Sequence, residues 1–261
     1  MISALLTLLI HVSLAQRSCA QTIYMAGDST MAPGGGGGGT DGWGQYLAQY
    51  LTLPVVNDAI AGTSARSYTD AGNFTSIING VQSGDFVIIE FGHNDGSAGA
   101  IDNGREDATG DGYNATTTVV EADNSTLVVH SFNYYIQNAV TALLAKGAIP
   151  IVSSQTPDNI FNSSVPSTAP RFVAYAAEVA GNTSVTYVDH YNYVVQAYDN
   201  IGAATVNTYY PMDHLHTSPT GANVVAEAFV RGLLCRNSTL TSNVNSFGLA
   251  VPSECCFSVS Q

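Results

Sequence analysis

Ser29, Asp213 and His216 are the residues whose types and spacing best suit chemistry on a carbonyl. Ser29 stands in Gly27-Asp28-Ser29-Thr30, directly after the apolar run 22–26. A serine hydroxyl is a weak nucleophile alone and needs a base within hydrogen-bond reach. Asp213 and His216 lie far along the chain, in Asp213-His214-Leu215-His216. In a turn, that separation brings the carboxylate onto one imidazole nitrogen and leaves the other to take a proton. His214 has the wrong parity for this partnership and reads as a solvated or structural neighbour. Each piece also has a plainer reading, since Asp and Ser cap helices and an Asp-His turn occurs in ordinary surface loops.

Acyl transfer also requires donors for the oxygen that becomes charged. Ala61-Gly62-Thr63-Ser64 follows the apolar run 54–58, and Gly92-His93-Asn94-Asp95 follows the run 85–91. Gly62 can offer a bare backbone N–H, and Asn94 its side-chain amide. The elements that must position these groups are short, β-branched, nearly continuous apolar runs at 22–26, 54–58, 85–91, 148–154 and 184–189, the pattern of strands buried on both faces. Helices are predicted at 42–51, 132–146, 171–180 and 219–234; the last opens on Ser218-Pro219, an N-cap and a first-turn proline. This alternation predicts a three-layer α/β/α sandwich around a five-stranded parallel sheet. Ser29, Gly62 and Asn94 each follow a strand, so all three converge beyond the carboxyl ends of the sheet.

Two segments break the rhythm. Six consecutive glycines at 34–39 predict a mobile loop, and no Gly-Lys-Ser/Thr follows to make it a phosphate cradle. Residues 97–126 form a long polar stretch directly after Asn94, expected to be a loop walling the cleft.

Composition sets the setting. The chain has 261 residues and a net charge of −13, from 7 basic and 20 acidic side chains. That balance excludes electrostatic binding of nucleic acid or of anionic membranes. The apolar stretch within residues 4–10 reads as a signal-peptide core, with cleavage after Ala15 or Ala20, so 21–261 is the expected mature domain. Six Asn-x-Ser/Thr acceptors, at Asn73, Asn114, Asn124, Asn162, Asn182 and Asn237, point to a secreted, extracellular glycoprotein and favour a monomer. Cys235 can close a C-terminal loop with Cys255 or Cys256, and the fate of Cys19 depends on the cleavage site.

The order Gly-Asp-Ser, Gly, Gly-x-Asn-Asp, Asp-x-x-His resembles the SGNH (GDSL-type) hydrolase superfamily, and within it the rhamnogalacturonan acetylesterases of carbohydrate esterase family twelve. The similarity extends through Gly42-Trp43-Gly44, Val56-Asn57-Asp58-Ala59, Ala65-Arg66-Ser67-Tyr68, Ser153-Ser154-Gln155-Thr156-Pro157 and Tyr187-Val188-Asp189-His190. The resemblance implies a flavodoxin-like fold and a serine esterase acting on acetylated pectic polysaccharide without metal or cofactor. It makes Ser29 the nucleophile, Asp213 and His216 its partners, and Ser29, Gly62 and Asn94 the oxyanion hole. Such enzymes often carry a disulfide in the loop after Gly-x-Asn-Asp, and this chain has no cysteine there. Arg66 is the expected contact for a substrate carboxylate, with a structural salt bridge or cap as its alternative; Trp43 is expected in the core, with stacking on a sugar face as its alternative. Other acylated polysaccharides such as xylan, lipid esters, and a non-catalytic carbohydrate-binding protein are the competing readings.

Overall fold

In a computed structural model, residues 21–96, 99–236 and 238–252 are described. The signal segment, Cys19, Asn237, Cys255 and Cys256 lie outside them. Chain order is β1 (Ile23–Gly27), β2 (Val55–Asn57), α1 (Ala65–Asp70), α2 (Asn73–Gly80), β3 (Phe86–Glu90), β4 (Thr116–Val120), β5 (Thr126–His130), α3 (Phe132–Ala145), β6 (Ile149–Ser153), α4 (Arg171–Thr183), β7 (Thr186–Val188), α5 (His190–Ile201), α6 (Ala203–Val206), α7 (Pro219–Leu234) and α8 (Ser246–Leu249). Five strands form one parallel sheet in the order β2-β1-β3-β6-β7. All five lie where the apolar runs place them.

Period-two alternation divides the core between the two faces of this sheet. Ile23, Met25, Phe86 and Ile88 pack with Trp43, Val194 and Phe229 on the face covered by α5 and α7. Ala26, Val87, Ile89 and Val152 pack with Tyr68, Phe132, Ile136 and Val179 on the face covered by α1 to α4. Every residue of β3 is buried. Full burial of one side chain such as Ile88 contributes about 1.5–3 kcal/mol, so the central strand is a firm base for the loop at its carboxyl end. The sheet with helices on both faces is the three-layer α/β/α sandwich expected.

The helix predicted at 42–51 is instead two 3-10 turns, Trp43–Gln45 and Leu47–Tyr50. A Cβ on Gly44 would lie 2.5 Å from the Asn57 side chain, and the tighter turns allow that approach. Trp43 is fully buried; its Nε1–H donates to Glu90 Oε1 at 2.8 Å, and its ring stacks on Phe229. Residues 99–126 of the expected loop 97–126 include β4, which pairs antiparallel with β5 as a separate hairpin, so part of that stretch is regular structure.

Among the described acceptor asparagines, Asn114, Asn124 and Asn182 are exposed and Asn73 and Asn162 half-buried. Cys235, at the end of α7, is disulfide-bonded, with its partner outside the described residues. Among the described residues no helix is long and apolar enough to cross a membrane.

Candidate active site

Ser29 lies two residues beyond the end of β1, in a turn that Asp28 holds shut. Asp28 Oδ1 accepts the N–H of Thr30 at 2.9 Å and its hydroxyl at 2.8 Å. Burial pushes the Asp28 carboxyl up, against the lowering pull of His93 and the bonds from Thr30. Asp28 is thus a brace, and the hydroxyl next to it is the group delivered to the sheet edge.

His216 comes from the loop before α7. Ser218 caps that helix by accepting the Gly221 N–H, and Pro219 occupies the first turn. Asp213 Oδ1 accepts the backbone N–H groups of Leu215 at 2.8 Å and His216 at 2.7 Å, closing the turn that the three-residue spacing predicts. Asp213 Oδ2 then meets His216 Nδ1 at 2.7 Å, and His216 Nε2 meets Ser29 Oγ at 2.8 Å. With Nδ1–H donating to the carboxylate, Nε2 carries the lone pair that faces the hydroxyl. Burial raises the Asp213 carboxyl, but the bonds from the His216 ring and from the His216 and Leu215 backbone outweigh it and hold it below the ordinary aspartate value. The carboxylate is therefore ionised where it must hold the imidazole. His214 points elsewhere, half exposed, with Nε2 3.6 Å from Asp158.

The glycine run, expected to be a mobile loop, is wound into successive turns. Thr40 Oγ1 donates to Gly37 O at 2.6 Å and accepts the Gly36 N–H at 3.0 Å. These turns set Gly36 against the imidazole: a Cβ there would lie 2.6 Å from His216 Cγ and Nδ1. The loop forms one wall of the base, and at Gly36 that wall is backbone because a side chain has no room.

Gly62 and Asn94 are brought to the same edge. Gly62 has φ +78°, a left-handed turn that glycine adopts without strain. Ile60 N–H donates to Gly27 O at 3.0 Å and Thr63 Oγ1 to the same oxygen at 3.3 Å, stitching this loop to the end of β1. Asn94 follows β3, the neighbour of β1 on its other side. Its Nδ2 donates to Thr63 O at 3.0 Å, and its Oδ1 accepts from Arg105 Nη1 at 3.2 Å. A flipped amide would set oxygen against the Thr63 carbonyl and N–H₂ against the guanidinium, so these bonds fix which way it faces. Among the described residues no hydrogen bond takes up the backbone N–H of Ser29 or Gly62. His93, between the motif residues, is a brace bonded to Thr156 and Gln155.

Asp95 continues this loop and ties it to α1 by accepting the Ala65 N–H at 2.9 Å. Its carboxyl sits beside that of Asp107 away from solvent. Burial pushes both upward, and the charge of Asp95 raises Asp107 further, so the pair retains a proton into the neutral range.

Arg66 is not at the cleft. Only 3% of it is exposed; Nη1 and Nη2 bind the Asp102 carboxylate at 2.9 and 2.7 Å, and Nε reaches Asp70 at 3.3 Å. The hydrogen bond from Arg66 holds Asp102 below the ordinary aspartate value. The substrate contact expected of Arg66 is corrected accordingly: it clamps α1 to the segment after β3, with Asp70, one helical turn along, as a second and longer contact. Arg105, which sequence reasoning did not single out, is brought beside Asn94 by its bond to the amide oxygen.

Comparison with known proteins places these features in a family. The model for "GDSL-like Lipase/Acylhydrolase" matches residues 23–229. A rhamnogalacturonan acetylesterase of Emericella nidulans is 46% identical over 233 residues, covering 89% of this chain and 92% of that protein. A probable rhamnogalacturonan acetylesterase of Bacillus subtilis, YesY, is 23% identical over 86% of this chain and 98% of its own. Among solved structures, the Bacillus subtilis protein YxiM superposes with a TM-score of 0.65 at 23% identity, over 84% of this chain and 57% of that one. An acetyl xylan esterase of Geobacillus stearothermophilus superposes with a TM-score of 0.51 at 18% identity, over 82% and 94%. At such identities the two structures bear on the fold alone.

Proposed function

The chain belongs to the GDSL-like lipase/acylhydrolase family, and from that premise we propose that it is a secreted esterase removing O-acetyl groups from rhamnogalacturonan through Ser29, His216 and Asp213. The observation that carries this reading is the unbroken relay from Ser29 Oγ to His216 Nε2 at 2.8 Å and from His216 Nδ1 to Asp213 at 2.7 Å.

The chemistry rests on the protons in that relay. Ser29 Oγ bonds to the acetyl carbon while its proton passes to His216 Nε2. Asp213 stabilises the imidazolium so formed. Charge collects on the former carbonyl oxygen, where the N–H groups of Ser29 and Gly62 and the Asn94 amide meet it; one such donor contributes roughly 3–4 kcal/mol. The bond from carbon to sugar oxygen then breaks, and that oxygen takes the proton from Nε2. Water repeats the sequence on the acetyl-serine and releases acetate. Identity of 46% with a rhamnogalacturonan acetylesterase supports this polymer as substrate.

Acetate released from acetylated rhamnogalacturonan and from acetylated xylan tests the reading. Wild-type protein is expected to prefer the first, and Ser29→Ala to lose about 10⁴-fold or more in kcat. Retained turnover in Ser29→Ala removes the mechanism, and preference for xylan removes the substrate.

A further inference from the structure

Arg66 is held by Asp102 and Asp70, yet another cation stands at the edge where Arg66 was expected. Arg105 Nη1 lies 3.2 Å from Asn94 Oδ1, and a Cβ on Gly62 would be 3.9 Å from the same nitrogen. The guanidinium therefore bonds one of the three proposed oxyanion donors and lies close to the residue that carries another. It is half-buried, and among the described residues no carboxylate pairs with it. A guanidinium offers five N–H donors in a planar fork matched to a carboxylate, and Asn94 occupies one. Arg105 touches the Oδ1 edge of the amide, while Nδ2 is the atom that faces a developing oxyanion, so the fork flanks the reacting centre rather than filling it. In a chain with 20 acidic and 7 basic residues, the general field repels a polyanion. An arginine without a countercharge at this place reverses that field locally.

We propose that Arg105 is the carboxylate-binding residue of this site, taking the carboxylate of an acidic sugar in the polymer chain beside the acetylated ring, and positioning Asn94 through the same contact. The assignment rests on the esterase reading and names the group of the polymer, beside the ester, that the site recognises.

Two polymers test it: acetylated rhamnogalacturonan with free carboxylates, and the same material after its carboxyls are chemically reduced to alcohols. The readout is the ratio of kcat/KM on the charged polymer to that on the reduced one, for wild type, Arg105→Gln and Arg105→Lys. An effect transmitted only through Asn94 is common to both polymers and cancels in the ratio. Wild type is expected to favour the charged polymer. Arg105→Gln is expected to lower the ratio roughly tenfold (about 1.4 kcal/mol), mainly through KM on the charged polymer, with Arg105→Lys recovering part of it. A ratio unchanged in Arg105→Gln, or a wild type indifferent to carboxyl reduction, overturns the assignment while leaving the esterase reading intact. No acetate from either polymer with wild type overturns the esterase reading itself.

Discussion

Gly36→Ala puts the geometry around the base under direct strain. Gly36 lacks the positive φ of its neighbours Gly34, Gly35, Gly37, Gly38 and Gly39, so alanine fits its backbone. The new Cβ would stand 2.6 Å from His216 Cγ and Nδ1, against 3.4 Å or more for ordinary contact. Ring or loop must then give way by roughly 0.8 Å, a misplacement of the size that costs about 10²-fold in rate. The loop is pinned by Thr40, and the ring by Asp213 and Ser29. If the ring yields, the 2.8 Å contact with Ser29 opens beyond hydrogen-bond range. We expect kcat on a small acetyl ester to fall about 10²-fold, with KM and Tm little changed. Gly37→Ala is the comparison: its Cβ meets open space but its φ is +87°, so it strains the loop without touching the ring. A Gly36→Ala enzyme with wild-type kcat would refute the placement of the loop against the imidazole.

Two further outcomes are expected of the site. Asn94→Ala removes one donor to the oxyanion and is expected to cost 10²–10³-fold in kcat, read from steady-state hydrolysis beside an unchanged circular dichroism spectrum; a loss confined to KM would contradict its role. The Asp95–Asp107 pair predicts a pH dependence of stability. Their folded-state carboxyls lie above the unfolded values, so the stability they contribute is complete below the ordinary aspartate range and is lost as pH rises from about 4 towards neutrality, at about 1.4 kcal/mol per pH unit for one retained proton. Asp107→Asn, which needs no proton to be neutral, is expected to flatten that slope and to melt above wild type at pH 8; parallel Tm profiles for the two proteins would rule out the shared proton.

The sheet strands were legible because they carry successive apolar residues, as in Phe86-Val87-Ile88-Ile89, where burial on both faces follows. Ser29, Asp213 and His216 were legible because local spacing carries their geometry: a turn after a strand, and a three-residue loop closed by its own carboxylate. α5 was missed because His190-Tyr191-Asn192-Tyr193-Val194-Val195 is aromatic and β-branched, poor in intrinsic helix formers, and is held by packing of Tyr193, Val194 and Tyr198 in the core. The hairpin of β4 and β5 hid in a polar stretch whose strands are largely exposed. Arg66 was misplaced because its proximity to Gly62 in sequence says nothing of Asp102, which reaches it across 36 positions. Arg105, Gly36 and the Asp95–Asp107 pair depend on such distant folding-back of loops, which no local pattern encodes.

Ser29 and His216 are 187 positions apart and are joined by a single hydrogen bond. On the proposed mechanism neither half of the polypeptide holds a reactive centre, so hydrolysis requires the last long helix to be docked. On that mechanism, turnover recorded during renaturation is a clock for completion: the first ester hydrolysed marks the moment at which two distant stretches of the chain have found each other.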